Sequence, residues 1–285
     1  MKFSILITNY NKKPYLKKCI QSCLNQSYKN FEIIILDNYS NDGSHLLLKQ
    51  FERNCIIKKK KRLGNNSAMN QIDLIKKGTN LCNGDVICLL DSDDYFFVNK
   101  LKIIKKNFEN NKNLSVLFDV PVMKENKKFN KQILKTFLKK HTWSTIINTS
   151  GISIKKNFLQ RCIKNKFFDK YPLLEVDFRI NVLCRILNIK YKILNDNLTV
   201  YRIGTQGIMS KLKKYSKLWW DKRLQAHTFM SDKLQSNGQF YKSFLDYNLT
   251  RFVSFFLDFF VSNHNSVIDP KNCCRIGCKK TARGN

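Results

Sequence analysis

The sequence predicts an α/β protein: a doubly wound, mostly parallel sheet flanked by helices, followed by a helical C-terminal extension. Three observations predict it. Short unbroken apolar runs alternate with amphipathic segments through the first third of the chain. Several of these runs end in dense polar clusters, and an open α/β sheet binds its ligand beyond the carboxyl ends of its strands. At 285 residues, 43% apolar and 12% aromatic, the chain can also bury one sizeable core and a small second unit.

FSILIT, residues 3–8, is an apolar run of the kind that a parallel sheet buries on both faces. After Asn11, Leu16, Cys19, Ile20, Cys23 and Leu24 recur at helical spacing, with Pro14 near a natural helix start. EIIILD, 32–37, reads as the second strand, SHLLLKQFERN, 44–54, as the second helix, and CIIKK, 55–59, as the third strand. A helix over 67–77 precedes the strand VICLL, 86–90, and another helix begins near Asn99.

Ten cysteines are scattered without paired CxxC spacing, most of them inside apolar runs, which suits reduced thiols in a cytoplasmic protein. The tail CCRIGCKK, 273–280, reads as a frayed terminus rather than a metal or lipidation site. The start FSILI turns polar too soon for a signal peptide, so a cytoplasmic location is expected. The net charge is +31, with lysines spread among amphipathic segments. Such charge suits solvated surface and attraction to anionic substrates or lipid head groups. No aromatic and basic recognition motif accompanies it, so no nucleic-acid partner is expected.

Against that basic background LLDSDDYF, 89–96, sets three carboxylates within four positions after a buried run. Like charges so close repel unless a cation holds them. A helix cap at Asp93 or Asp94 needs only one carboxylate. Three at the end of the fourth strand favour a hard divalent cation, Mg²⁺ or Mn²⁺, bridging Asp91 or Asp93 to the phosphates of a nucleotide. A DxD phosphatase would need DxDx(T/V) after the first strand, whereas here the cluster follows the fourth and Tyr95 fills the last place.

SILITNYNKKPYLKKCIQSCLNQSYKNFEIIILDNYSNDGS, 4–44, resembles the opening of the family 2 glycosyltransferases, and GDVICLLDSDD, 84–94, is similar to that family's strand ending in DxD. FFDKYPLLEVDF, 167–178, looks like its acceptor-side segment, and YRIGTQGIMS, 201–210, resembles its YR-x-H-x-x-S-x-S segment. Co-linear motifs in a fitting context are far more specific than any one alone.

The resemblance implies a GT-A, Rossmann-like domain over 1–210, with a nucleotide-sugar half at 1–98 and an acceptor half at 99–210, and a helical extension at 211–285. It implies a metal-dependent, inverting transfer from a nucleotide-diphosphate sugar to a saccharide or lipid-linked saccharide in cell-surface glycan assembly. Asp93 is then the first metal ligand; Asp91 completes the metal shell or contacts the ribose, and Asp94 orients the loop. Thr8, Tyr10, Asn11, Asp37, Asn38 and Ser92 fall at nucleotide-sugar-binding positions. Glu175 aligns best with the family's general base, and Asp177 is the alternative. The chain departs from the family at Asn38, where a second Asp is common, at Met69, where Arg is frequent, and at Gly204, near a frequent His. Lys12 and Lys13 are candidates for the phosphate contact that Met69 does not make.

KYSKLWWDKRLQAHTFMSDKL, 214–234, reads as an amphipathic helix, and FLDYNLTRFVSFFLDFFV, 244–261, is rich in Phe. Asp246, Arg251 and Asp258 interrupt the latter too often for a bilayer span. It suits packing on the catalytic domain, pairing into a homodimer, or lying peripherally on a membrane.

Overall fold

The computed structural model describes residues 1–125, 128–131, 147–204, 212–236, 238 and 244–267. In chain order its elements are β1 (Phe3–Asn9), α1 (Lys13–Leu24), β2 (Phe31–Asp37), α2 (Ser44–Lys49), β3 (Ile56–Lys59), α3 (Ser67–Leu81), β4 (Val86–Asp91), β5 (Tyr95–Phe96), α4 (Lys100–Asn110), β6 (Val116–Asp119), β7 (Val122–Glu125) and β8 (Lys128–Lys131). A 3₁₀ turn (Thr149–Gly151) leads to β9 (Ile152–Lys155), α5 (Lys156–Lys164), α6 (Val176–Ile186), β10 (Tyr191–Leu194), β11 (Thr199–Arg202), α7 (Lys217–Gln235) and α8 (Phe244–Val267).

Seven strands form the main sheet in the order β10-β6-β9-β4-β1-β2-β3, parallel except for β9, which runs antiparallel to β4 and β6. A smaller sheet, β5-β11-β7-β8, stands beside it. The expected GT-A-like, mostly parallel sheet is therefore present. Its central strands are apolar throughout because both faces are covered. Leu6, Ile34 and Leu36 point into the layer under α3, α5, α6 and α7. Ile5, Ile7, Ile33 and Ile35 point into the layer under α1 and α4.

Two helix ends differ from the sequence reading. The second helix stops at Lys49 and its last residues form turns, since Glu52, Arg53 and Asn54 are exposed and offer no face to bury. The third continues to Leu81, past the glycine that discourages it. A Cβ at Gly78 would lie 2.4 Å from a Leu6 methyl, so the missing side chain is what lets α3 settle onto β1. Nor do Asp93 and Asp94 cap the next helix: Asn99 takes that place, without a side-chain bond.

The extension is not detached, because Ala226, Phe229 and Met230 of α7 enter the same apolar layer as Phe178 of α6. The tail at 273–280 lies outside the described residues, as do residues 205–210 of the YR segment.

One buried ion pair links the two sheets. Lys100, at the start of α4, is fully buried; its ammonium donates to Asp119 Oδ1 of β6 (2.6 Å), the Ser150 carbonyl (2.9 Å) and Thr199 Oγ1 of β11 (2.6 Å). Lys100→Met would strand the Asp119 carboxylate and should destabilise the chain by about 3–5 kcal/mol. Lys100→Met combined with Asp119→Leu should recover most of that loss, as denaturant unfolding of the three proteins would reveal.

Candidate functional site

Register brings the polar strand ends together. Thr8 of β1 lies opposite Asp91 of β4, and its hydroxyl donates to Asp91 Oδ1 at 3.2 Å; Asn9 lies opposite Asp37 of β2. Above these ends opens a cleft of about 760 Å³, lined by Thr8, Tyr10, Asn11, Asn38, Asp91, Ser92 and Asp93 on one side and by Glu175 and Asp177 across it. Asp37 does not line it. Its carboxylate is wholly buried beneath, taking hydrogen bonds from Asn9 Nδ2 (2.6 Å) and from the Ser40 amide and hydroxyl (2.9 and 2.6 Å). Asp37 thus braces the loop that Asn38 opens, while Asn38 itself donates to the Lys60 carbonyl at 3.0 Å.

The three clustered carboxylates have separate surroundings. Asp94 is buried and accepts from Ser150 Oγ (2.5 Å) and the Arg202 amide (2.9 Å); burial, with the charges of Asp93 and Asp91, holds it well above the usual carboxylate range. Ser150 Oγ also accepts from the Asp91 amide at 3.1 Å, so one hydroxyl clamps both ends of the turn. Asp91 takes bonds from Thr8 and from Gln71 Nε2 (2.6 Å), and burial, then the charges of Asp93 and Asp177, push it up to about 7. Asp93 meets the Lys12 ammonium at 2.7 Å.

That set fits a divalent cation shared with a ligand. Two neighbouring carboxylates face the cleft, burial and then the Asp93 charge raise Asp91, and an ammonium already sits against Asp93 as a cationic stand-in. Among the described residues no group of three or more His, Cys, Asp or Glu side chains is disposed to hold an ion. Asp91 and Asp93 are the residues that would hold such an ion, with oxygen ligands of the kind Mg²⁺ or Mn²⁺ takes.

The opposite wall is built on α6. Arg179 is completely buried, and its guanidinium donates to the carbonyls of Leu174 (3.1 Å), Phe167 (3.2 Å) and Tyr171 (2.6 Å), folding the 167–174 loop around the helix start. Asn181 ties that helix to the Ile147 backbone and so sets the Asn148–Thr149 edge of the cleft. Glu175, just before α6, is bound to the Lys222 ammonium of α7. Asp177, in the first turn, takes a 2.6 Å bond from the Phe178 amide. Burial, and then the Glu175 charge, push Asp177 up to about 7.

Several cleft residues were not singled out from the sequence. Gln71, two positions after Met69 on α3, lines the cleft and bonds Asp91, while Met69 itself packs on the core. Arg62 lays its guanidinium 4.0 Å over the Tyr10 ring, a cation–π contact at the cleft mouth. Asn148 lines the cleft with both amide atoms buried and unpartnered, and buried Arg202 Nε is also without a partner. Each keeps a hydrogen-bonding valence that the protein does not use. Of these residues Arg62 stands in a distinctive local pattern, at the end of the basic run KKKKR, 58–62. Lys12 lines the cleft and Lys13 does not, while Gly204 lines it with nothing near the place of a Cβ.

Residues 4–169 match the family described as Glycosyl transferase family 2. An uncharacterized glycosyltransferase of Methanocaldococcus jannaschii is 28% identical over 260 residues, covering 85% of this chain and 84% of that one. The Escherichia coli UDP-Glc:alpha-D-GlcNAc-diphosphoundecaprenol beta-1,3-glucosyltransferase WfgD is 25% identical over 222 residues, 76% of this chain and 83% of that protein. Among solved structures, S. aureus TarS 1-349 in complex with UDP-GlcNAc superposes with a TM-score of 0.59 at 16% identity, covering 82% of this chain and 69% of that one. Mannosyltransferase PcManGT of Pyrobaculum calidifontis, in complex with GDP-Man and Mn2+, gives 0.55 at 12% identity over 88% and 68%.

The raised Asp177 has a consequence for stability. Its carboxyl ordinarily releases its proton near 3.8, and in the folded chain near 7, so the folded state binds that proton more tightly. Between those values each rise in pH therefore costs stability, and above about 7 the whole cost is present. Asp177→Asn keeps the acceptor for the Phe178 amide without the charge. It should melt higher than the parent at pH 8, with the gain vanishing toward pH 4 in paired thermal melts.

Proposed function

Because this chain belongs to the glycosyl transferase family 2, we propose that it moves a sugar from a nucleotide-diphosphate donor to an acceptor hydroxyl, by a metal-assisted inverting displacement, in the assembly of a cell-surface glycan. One observation carries the reading: a single cleft has Asp91 and Asp93 with Lys12 on one wall and Asp177, poised near neutrality, on the other. The nucleotide lies over Thr8, Tyr10, Asn11, Asn38 and Ser92, with Arg62 and Tyr10 closing the base end and Asp37 bracing the loop from below. Asn148 and Arg202 have the open valences to meet the sugar and phosphate oxygens. UDP, UDP-GlcNAc and GDP-Man in the structural relatives support a nucleotide donor, and the diphosphoundecaprenol in the E. coli relative's name supports a saccharide on a lipid carrier as acceptor. The seven described cysteines are all free and buried, which suits work at the cytoplasmic side.

In this mechanism Asp177 accepts the acceptor hydroxyl proton as the oxygen bonds to the anomeric carbon. The bond from that carbon to the diphosphate breaks, and its electron pair leaves on the diphosphate, where the Lys12 ammonium meets the growing charge. Asp93 and Asp91 would hold a divalent ion, Mg²⁺ or Mn²⁺, which when bound would help neutralise the departing diphosphate. We infer that Asp177, rather than Glu175, is the base. An ammonium already holds the Glu175 carboxylate, whereas Asp177 is tuned to take a proton at neutral pH. Glu175 then acts through Asp177, by helping keep its proton affinity high.

A screen of nucleotide sugars with and without Mn²⁺ tests the donor half. Asp93→Asn should lose both turnover and metal-dependent nucleotide binding and still fold; near-normal turnover by this variant in the presence of a chelator would remove the metal from the reading.

For the acceptor half, Asp177→Asn should bind the donor normally and lose about 10²- to 10⁴-fold in rate. The parent's kcat/KM should fall as pH drops below about 7, where Asp177 becomes protonated. If Glu175→Gln were the slower of the two variants, Glu175 would be the base.

A further inference from the structure

Helix α8 is inside out. Its contacts with α7 run through polar side chains, beside the Tyr247 ring stacked on His227: Asp246 takes the Arg223 guanidinium on both oxygens (2.7 and 2.6 Å), Thr250 accepts from Arg223 Nε (3.3 Å), Ser254 donates to Asp221 (2.8 Å) and Asp258 meets Lys217 (2.7 Å). Thr250 and Ser254 are buried in that seam. The opposite face, at helical spacing, shows Leu245, Leu249, Phe252 and Phe255 to solvent with 85%, 57%, 66% and 73% of their surface exposed. A helix that merely covers the core does the reverse.

We propose that this outward face of α8 docks the protein on an anionic phospholipid bilayer. Charge selects that occupant: the chain carries a net +31, so a second copy laid on the same face would meet strong repulsion, whereas an acidic lipid surface attracts it. The Lys217–Asp258 pair sets the start of α7 against the far half of α8, and Lys213, Lys214, Tyr215 and Leu218, at or just before that start, are exposed. Apolar and aromatic side chains edged by lysines are what an interfacial helix presents to head groups and acyl chains. The contact is peripheral, since among the described residues no helix is long and apolar enough to cross a membrane.

Flotation with phosphatidylcholine vesicles, with and without phosphatidylglycerol, tests the proposal on the full chain. The parent should float with the anionic vesicles at low salt and release in part at high salt, because attraction between exposed charges is screened over ~10 Å at 0.1 M. A Leu249→Gln, Phe252→Gln, Phe255→Gln triple variant should bind at least about tenfold more weakly, while melting and eluting as the parent does, since binding scales with the apolar area inserted. A Phe255→Trp variant gives a second readout, an added fluorescence component quenched by brominated acyl chains. Equal flotation of parent and triple variant, no quenching of the added tryptophan, or a parent dimer that the triple variant makes monomeric without lipid binding would each overturn it. Vesicle binding needs no donor, so it and the transferase reading can fail separately.

Discussion

A single buried ammonium organises both the fold and the cleft. Lys100 gathers Asp119 from the main sheet, Thr199 from the small sheet and the Ser150 carbonyl from the turn between them. With both charges out of water, removal of either partner is costly, and the geometry around them has little freedom. That rigidity passes directly to the site. The same Ser150 uses its hydroxyl to hold the Asp94 carboxylate and the Asp91 amide, so the acidic loop takes its shape from a turn that Lys100 fixes.

On this frame the cleft concentrates negative charge within a strongly basic protein. Asp91 and Asp177, on facing walls, are both pushed up to about 7, chiefly by burial, and Asp91 feels Asp177 across the gap. Such an arrangement works against stability, as functional sites commonly do, and it is tolerated because the parts around it are over-determined. Arg179 binds three carbonyls of one loop, Asn181 joins α6 to the chain at Ile147, and Lys222 holds Glu175. A charged ligand entering this cleft meets groups already fixed in place, which is the condition for electrostatic catalysis.

The sequence by itself determined the β-α-β alternation, the buried strands and the strand ends at which the polar clusters lie. Their apolar runs and the turn residues that close them are local signals, and a parallel sheet covered on both faces leaves few alternatives. It also determined that Asp91, Asp93 and Asp94 belong to a loop under electrostatic stress, because their spacing alone requires that.

Only the tertiary structure decided how the carboxylates divide the work. Asp94 is a buried brace, Asp91 is tuned, Asp93 faces a lysine, and Asp37 lies beneath the cleft; these differences come from Ser150, Gln71, Lys12, Asn9 and Ser40, most of them far away in the chain. Glu175 and Asp177 are two residues apart and similar in local pattern, yet Glu175 takes the Lys222 ammonium from α7 and Asp177 takes the Phe178 amide of its own helix. The reversed polarity of α8 was likewise illegible, because a Phe-rich helix has the same periodicity whether its apolar stripe faces core or solvent. What separates those outcomes is the partner across the seam, where Arg223, Asp221 and Lys217 of α7 claim the polar side.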